Sequence, residues 1–284
     1  MRTRSGKKNV FLLLFFLLLS FLPFGPDPAA AQENKAIVIG LLPEMNVFKQ
    51  KSRFAPLAAH LSKRLQMPVT LTMLSRYGNI VERLQEEKVD GAFLGSFTGA
   101  LAISQLGVEP LARPINMDNT STYFGYIFSR KASGIKTAAD MKGKSLALVE
   151  RATTAGYVFP IAWLRQHGVE DIDTHFSEYF FTGSHDAAID AVLEGKADVG
   201  AAKNTIYEMM RKSHSRIDEE LVILAKSPRV PSNGLCVRKG LPPELKEKMQ
   251  TILLNLHNEP EGVAVLEKLG AKRFVQTSRE DYGP

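Results

Sequence analysis

Cysteine is almost absent. Cys236 is the only one in 284 residues, so no internal disulfide can form and the fold must rest on core burial. The six histidines, His60, His167, His175, His185, His214 and His257, are dispersed. No His-x-x-x-His pair or cysteine cluster suggests a metal site. There is no Gly-x-Ser-x-Gly elbow, Gly95-Ser96-Phe97-Thr98-Gly99 has its serine out of register, and Cys236 falls inside an apolar strand pattern. Nucleophilic catalysis therefore has no candidate, and neither an enzyme nor a cofactor is expected. The excess of basic residues is small, +6 in all, with lysine and arginine scattered among acids. That pattern gives no footprint for nucleic acid.

What is present begins with a leader. Arg2, Arg4, Lys7 and Lys8 precede an apolar run over 10–21, followed by Ala29-Ala30-Ala31, the order of a secretory signal peptide. Residues 1–31 are expected to be removed, which places the mature chain in the periplasm. The run is shorter than the roughly 20 residues that span a bilayer; an uncleaved leader would instead act as an N-terminal membrane anchor. About 250 residues then remain, enough for two domains.

From residue 36 onward strands and helices alternate. Strands are expected over 36–42, 68–74 and 89–94, and helices over 52–65, 78–87 and 97–106; Phe54, Leu57, Ala58, Leu61 and Leu65 share one face of the first helix. Periodicity breaks around 114–122, and a strand at 123–129 opens a second series. This continues with strands over 145–149, 174–179 and 197–202 and helices over 156–167, 185–194 and 204–211. Strands at 221–225 and 234–238 and helices over 242–256 and 261–269 follow. The pattern predicts an α/β protein of two lobes, each a mainly parallel sheet flanked by helices. Residues 36–118 with 222–284 would form lobe 1 and 119–221 lobe 2, with the ligand in the cleft between them. A single large doubly wound domain is the alternative.

Strand-to-helix junctions in such sheets collect ligands, because helix N-termini present unpaired N–H groups. Thr153, Thr154 and Ala155 precede Gly156 at one junction, Ser184 and His185 stand at the next, and Gly95-Ser96 is the matching junction of the first lobe. The threonines could equally be helix caps, and His185 an ordinary first-turn residue. Tyr77 and Tyr123 are placed to supply phenolic donors or aromatic walls.

The order of several segments carries a resemblance. They are Arg53-Phe54-Ala55-Pro56-Leu57, Val89-Asp90-Gly91-Ala92-Phe93-Leu94-Gly95, Asp140-Met141-Lys142-Gly143-Lys144, Thr153-Thr154-Ala155-Gly156-Tyr157, Gly183-Ser184-His185-Asp186-Ala187, Ala197-Asp198-Val199-Gly200 and Lys226-Ser227-Pro228-Arg229-Val230-Pro231-Ser232-Asn233. In this order they resemble the phosphate/phosphite/phosphonate-binding proteins of ABC transporters over most of the mature chain. The resemblance implies a type II-like periplasmic binding fold and two partners, a small anionic ligand and a transporter permease. It implies an oxyanion held by a Ser-Thr-Ser-Gly turn, here Thr153, Thr154, Ala155 and Gly156 with one hydroxyl missing, and by His185. The family's cleft tyrosines fall on Tyr77 and Tyr123. Acidic residues that pair a ligand ammonium in some members fall on Thr205 and Asn233, neither of which is charged, so an amino-substituted ligand is disfavoured. Lys203 beside them could add a cation or point to solvent. A phosphonate, phosphite or phosphate is the expected ligand. A sulfonate or another small anion, or service to a membrane sensor kinase, stays open.

Overall fold

Short β-branched runs form the strands, and capped amphipathic stretches return the chain between them. A computed structural model describes residues 36–283 apart from 75 and 87, as one compact unit. The expected leader lies outside the described residues.

The first part of the chain reads β1 (Ile37–Leu41), α1 (Val47–Leu65), β2 (Val69–Met73), α2 (Ile80–Gln85), β3 (Gly91–Leu94), α3 (Ser96–Leu106), β4 (Glu109–Asn116) and β5 (Thr122–Tyr123). The second comprises β6 (Gly125–Arg130), β7 (Ser145–Leu148), α4 (Phe159–Gln166), α5 (Ile172–His175), β8 (Glu178–Phe181), α6 (His185–Leu193), β9 (Val199–Lys203), α7 (Asn204–Arg211), α8 (Arg216–Glu220) and β10 (Leu221–Lys226). The chain ends with β11 (Val230–Pro231), β12 (Gly234–Val237), α9 (Pro243–Asn255), α10 (Pro260–Leu269) and β13 (Ala271–Gln276).

Two main sheets result, ordered β13-β4-β12-β3-β1-β2 and β10-β6-β9-β7-β8. Two lobes were expected, but not this mixture of strand directions. β1 runs parallel to β2 and β3, and β7 parallel to β8 and β9, whereas β4, β12 and β13 in one sheet and β6 and β10 in the other pair antiparallel. The mainly parallel expectation is thus corrected to mixed sheets. The reason is that β12 returns from the second lobe and inserts between β3 and β4, which a βα repeat would otherwise have made neighbours. β10 also belongs to the second sheet, so its residues 222–226 lie beyond the expected return at residue 221. The two connections between lobes meet as a short ladder, Val230 opposite Tyr123 and Pro231 opposite Thr122.

Helix α1 starts five residues ahead of its expected position. Asn46 Oδ1 accepts from the backbone N–H groups of Phe48 and Lys49 at 3.1 and 3.3 Å, which is a helix N-cap. Residues 46–49 are exposed and show no apolar period. The strand expected over 174–179 gives way to the short α5, capped by Asp171 accepting from Asp173 N at 2.9 Å, and β8 follows. Buried Leu57, Leu61, Met249, Leu253 and Leu266 pack α1, α9 and α10 on one face of the first sheet. Ile80, Leu84 and Ala102 pack α2 and α3 on the other, together with fully buried Cys236. Burial pushes the Cys236 thiol up to about 12, so it is an unreactive core residue.

Candidate functional site

Strand ends and helix starts from both lobes converge on one small pocket. Its walls come from Leu42 and Glu44 after β1, Tyr77, Gly95, Phe97 and Thr98 at the start of α3, Tyr123, Ala152 to Ala155, His185 at the start of α6, Lys203 at the end of β9, and Asn233. The cavity is about 20 Å³, far below the several hundred Å³ of pockets that take drug-sized ligands. Helix starts at Ser96, Thr154 and His185 meet at it, and the first-turn N–H groups of a helix lack intrahelical acceptors. Their dipoles give the pocket a positive bias without a net charge.

The turn at 153–158 is wider than an α-helix. Val158 N donates to Thr153 O at 3.0 Å, and Phe159 N closes onto Thr154 O. Gly156 permits this winding, since a Cβ there would collide with the Val149 side chain and come 2.9 Å from Thr153 Oγ1. The two threonines are not equivalent. Thr153 Oγ1 donates to Glu150 O at 2.5 Å, so its hydroxyl proton holds the turn rather than facing a ligand. Thr154 Oγ1 lies 2.7 Å from Ser96 Oγ, which is itself 2.8 Å from Tyr123 OH. Three hydroxyl protons serve two contacts, which leaves at least one to donate to an anion. Burial raises the Tyr123 phenol above its ordinary range and Tyr77 well above it, so both stay neutral. Tyr77 donates to Pro43 O at 3.3 Å and sets its ring edge-on to His185 at 6.2 Å. It acts as a wall.

His185 is 3 % exposed. Its Nδ1 accepts from Lys203 N at 3.2 Å, which places the proton of the neutral ring on Nε2. Burial drives its pKa down to about 4, against the opposing pull of Glu44. The ring is therefore a neutral donor at physiological pH.

Sequence reasoning missed Glu44. It follows β1 in the tripeptide Leu42-Pro43-Glu44, and a charged residue at the carboxyl end of the first strand was the signal that could have found it. Its Oε1 accepts from Lys203 Nζ at 2.6 Å and from Asn233 Nδ2 at 3.1 Å. Lys203 Nζ also donates to Asn233 Oδ1 at 2.8 Å and sits 4.4 Å from the centre of the Tyr123 ring. Burial alone would raise the Glu44 carboxyl, but the Lys203 ammonium beside it holds it below the usual range. Burial lowers the Lys203 ammonium and Glu44 opposes that shift. A contact of 2.6 Å between them keeps both charged at neutral pH.

Of the residues singled out from sequence, Tyr77, Tyr123, Thr153, Thr154, Ala155, His185, Lys203 and Asn233 line the pocket, and Ser96 reaches it through Tyr123 and Thr154. Thr205 does not. It lines a separate, more apolar cavity with Phe54, Phe93, Met117, Met209 and Phe274, across the wall made by Glu44, Lys203 and Asn233. Asn204 takes the place nearer the crossing strand, accepting from Phe124 N at 2.9 Å. Contacts across the cleft hold the lobes together: His185 N to Glu44 O at 3.0 Å, Asn46 N to Asp186 Oδ2 at 2.7 Å, and the pairs Ser96–Thr154 and Lys203–Glu44. Among the described residues no group of three or more potential metal ligands occurs, and no helix is long and apolar enough to cross a membrane.

Comparison with known proteins places this geometry in context. The chain is 24% identical over 257 residues to the phosphonates-binding periplasmic protein of Escherichia coli K12, covering 89% of this chain and 75% of that one. It is 23% identical over 288 residues to a probable ABC transporter phosphite-binding protein of Prochlorococcus marinus MIT 9301, covering 96% and 95%. A solved structure of that organism's PhnD1 in complex with methylphosphonate superposes with a TM-score of 0.79 at 22% identity, over 88% of this chain and 95% of the other. This bears out the two-lobed fold. Residues 39–282 match the family described as ABC transporter, phosphonate, periplasmic substrate-binding protein, and the chain belongs to that family of non-enzymatic transport receptors.

Proposed function

We infer that the pocket captures a small phosphorus oxyanion, such as phosphite, phosphate or methylphosphonate, and that the liganded receptor delivers it to an ABC importer permease. The observation that carries this reading is the hydroxyl cluster of Ser96, Tyr123 and Thr154 facing a neutral His185 donor at one small pocket. The backbone of Ala155, which lines the pocket, supplies a further N–H group. Glu44 takes its hydrogen bonds from Lys203 and Asn233 on Oε1. Oε2 then offers an acceptor for a P–O–H group, which sulfate lacks at neutral pH. Relatives named as phosphonates-binding and phosphite-binding proteins support the same chemical class.

The ladder between Tyr123 and Val230 supports a hinge there, with residues up to about 118 and from about 227 moving as one lobe and those between as the other. The leader supports export and cleavage after Ala31. A thermal-shift panel on purified, ligand-stripped protein tests the ligand class. Phosphite, phosphate or methylphosphonate should raise the melting temperature in proportion to the logarithm of concentration, with sulfate and an alkyl sulfonate much weaker. A shift from sulfonates alone would overturn the reading.

A further inference from the structure

The pocket has two chemically different halves. Ser96, Tyr123, Thr154 and His185 make the first, and all can donate. Glu44, Asn233 and the face of the Tyr123 ring make the second, which is already filled. Lys203 Nζ lies 2.6 Å from Glu44 Oε1, 2.8 Å from Asn233 Oδ1 and 4.4 Å from the Tyr123 ring centre. A carboxylate, an amide oxygen and an aromatic face together replace the water shell of a primary ammonium. Both charged side chains are buried, 7% and 8% exposed, so this shell is complete without solvent. Lys203 projects from β9 in one lobe while Glu44 follows β1 in the other, so the ammonium bridges the cleft as a ligand group would.

Resting on the reading of this pocket as a phosphorus-oxyanion site, we propose that Lys203 is the resident occupant of a cation subsite and thereby restricts the ligand to oxyanions with an uncharged substituent. An aminoalkyl phosphonate would bring a second ammonium against Lys203, and Glu44 cannot neutralise both at once. The specificity is thus set by repulsion as well as by attraction.

Calorimetric titration with ethylphosphonate and 2-aminoethylphosphonate, ligands of similar length differing by the ammonium, tests this. The wild type should bind the amino compound at least about 100-fold more weakly, as like charges held in a desolvated site require. Lys203→Ala uncovers Glu44 and should reduce that ratio by about tenfold or more, and adding Glu44→Gln should abolish the gain. A wild type that binds the two within about threefold of each other, or a folded Lys203→Ala protein with an unchanged ratio, overturns the proposal. If Lys203→Ala does not fold, the wild-type ratio alone decides. Failure of the underlying site reading looks different: the wild type would then bind neither phosphonate, nor methylphosphonate.

Discussion

Lys203→Met removes the ammonium and keeps the length of the side chain, leaving the Glu44 carboxylate buried without its counter-ion. Because the pair is 2.6 Å apart with side chains 7% and 8% exposed, solvent screening of the kind that weakens surface pairs does not apply. Breaking a buried pair on one side costs about 3–5 kcal/mol, whereas replacing both partners by neutral groups is often close to neutral. Lys203→Met should therefore lose about 3–5 kcal/mol in urea unfolding at pH 7, and Glu44→Gln/Lys203→Met should recover most of that loss. Acid provides an internal check. In the single variant burial raises the Glu44 pKa above its unfolded value, so the folded state takes up the proton first. The deficit relative to wild type should then shrink as pH falls through the raised folded pKa. A single variant within about 1 kcal/mol of wild type, with no pH dependence in the difference, would refute the idea that this pair is a buried, mutually dependent unit.

Four other outcomes follow from the same geometry. Thr154→Val and His185→Ala should each weaken methylphosphonate binding by about 1.5–3 kcal/mol, the range for hydrogen bonds to a charged partner, read by calorimetry. Thr153→Val should instead lower stability by about 1 kcal/mol with affinity nearly unchanged, because its proton is engaged by Glu150 O; equal losses of affinity at 153 and 154 would contradict this. Gly156→Ala should destabilise by about 1–3 kcal/mol through overpacking against Val149, seen as a lowered urea midpoint. The His185 pKa of about 4 lies below its ordinary 6.5, so the unfolded chain binds the proton more readily. Its contribution is full above pH 6.5 and is lost as pH falls toward 4, about 3 kcal/mol in all. A pH series comparing wild type with His185→Asn should show that slope only in the wild type.

Much of this was legible in the sequence, for identifiable reasons. Helices such as α7 and α10 announce themselves by apolar period, and α10 also by proline at its start. Ser96, Thr154 and His185 sit at strand-to-helix junctions, which the alternation of elements locates. What escaped is equally specific. β4 carries Pro110 and Pro114, a residue type that disfavours strands, and the expected break began at 114, yet both prolines fit among the antiparallel pairings with β12 and β13. In β13, Lys272 and Arg273 are both exposed where its register shifts, and the strand has little apolar signal. Insertion of β12 between β3 and β4 depends on pairing over long sequence separation, which local pattern does not encode. Glu44 was hidden because a lone acid after a strand resembles a solvated loop residue. Only the arrival of Lys203 and Asn233 from distant elements turns it into the buried centre of the wall. The same wall explains why Thr205, two residues after Lys203, serves a different cavity.

The most direct test of the central claim is a crystal structure of the protein with methylphosphonate at saturating concentration. The account predicts the phosphonate oxygens within hydrogen-bond distance of Thr154 Oγ1 and His185 Nε2, with the Lys203–Glu44 pair intact beside the methyl group. Phosphonate bound instead in the cavity lined by Phe54, Phe93 and Thr205, or absent from both, would contradict it.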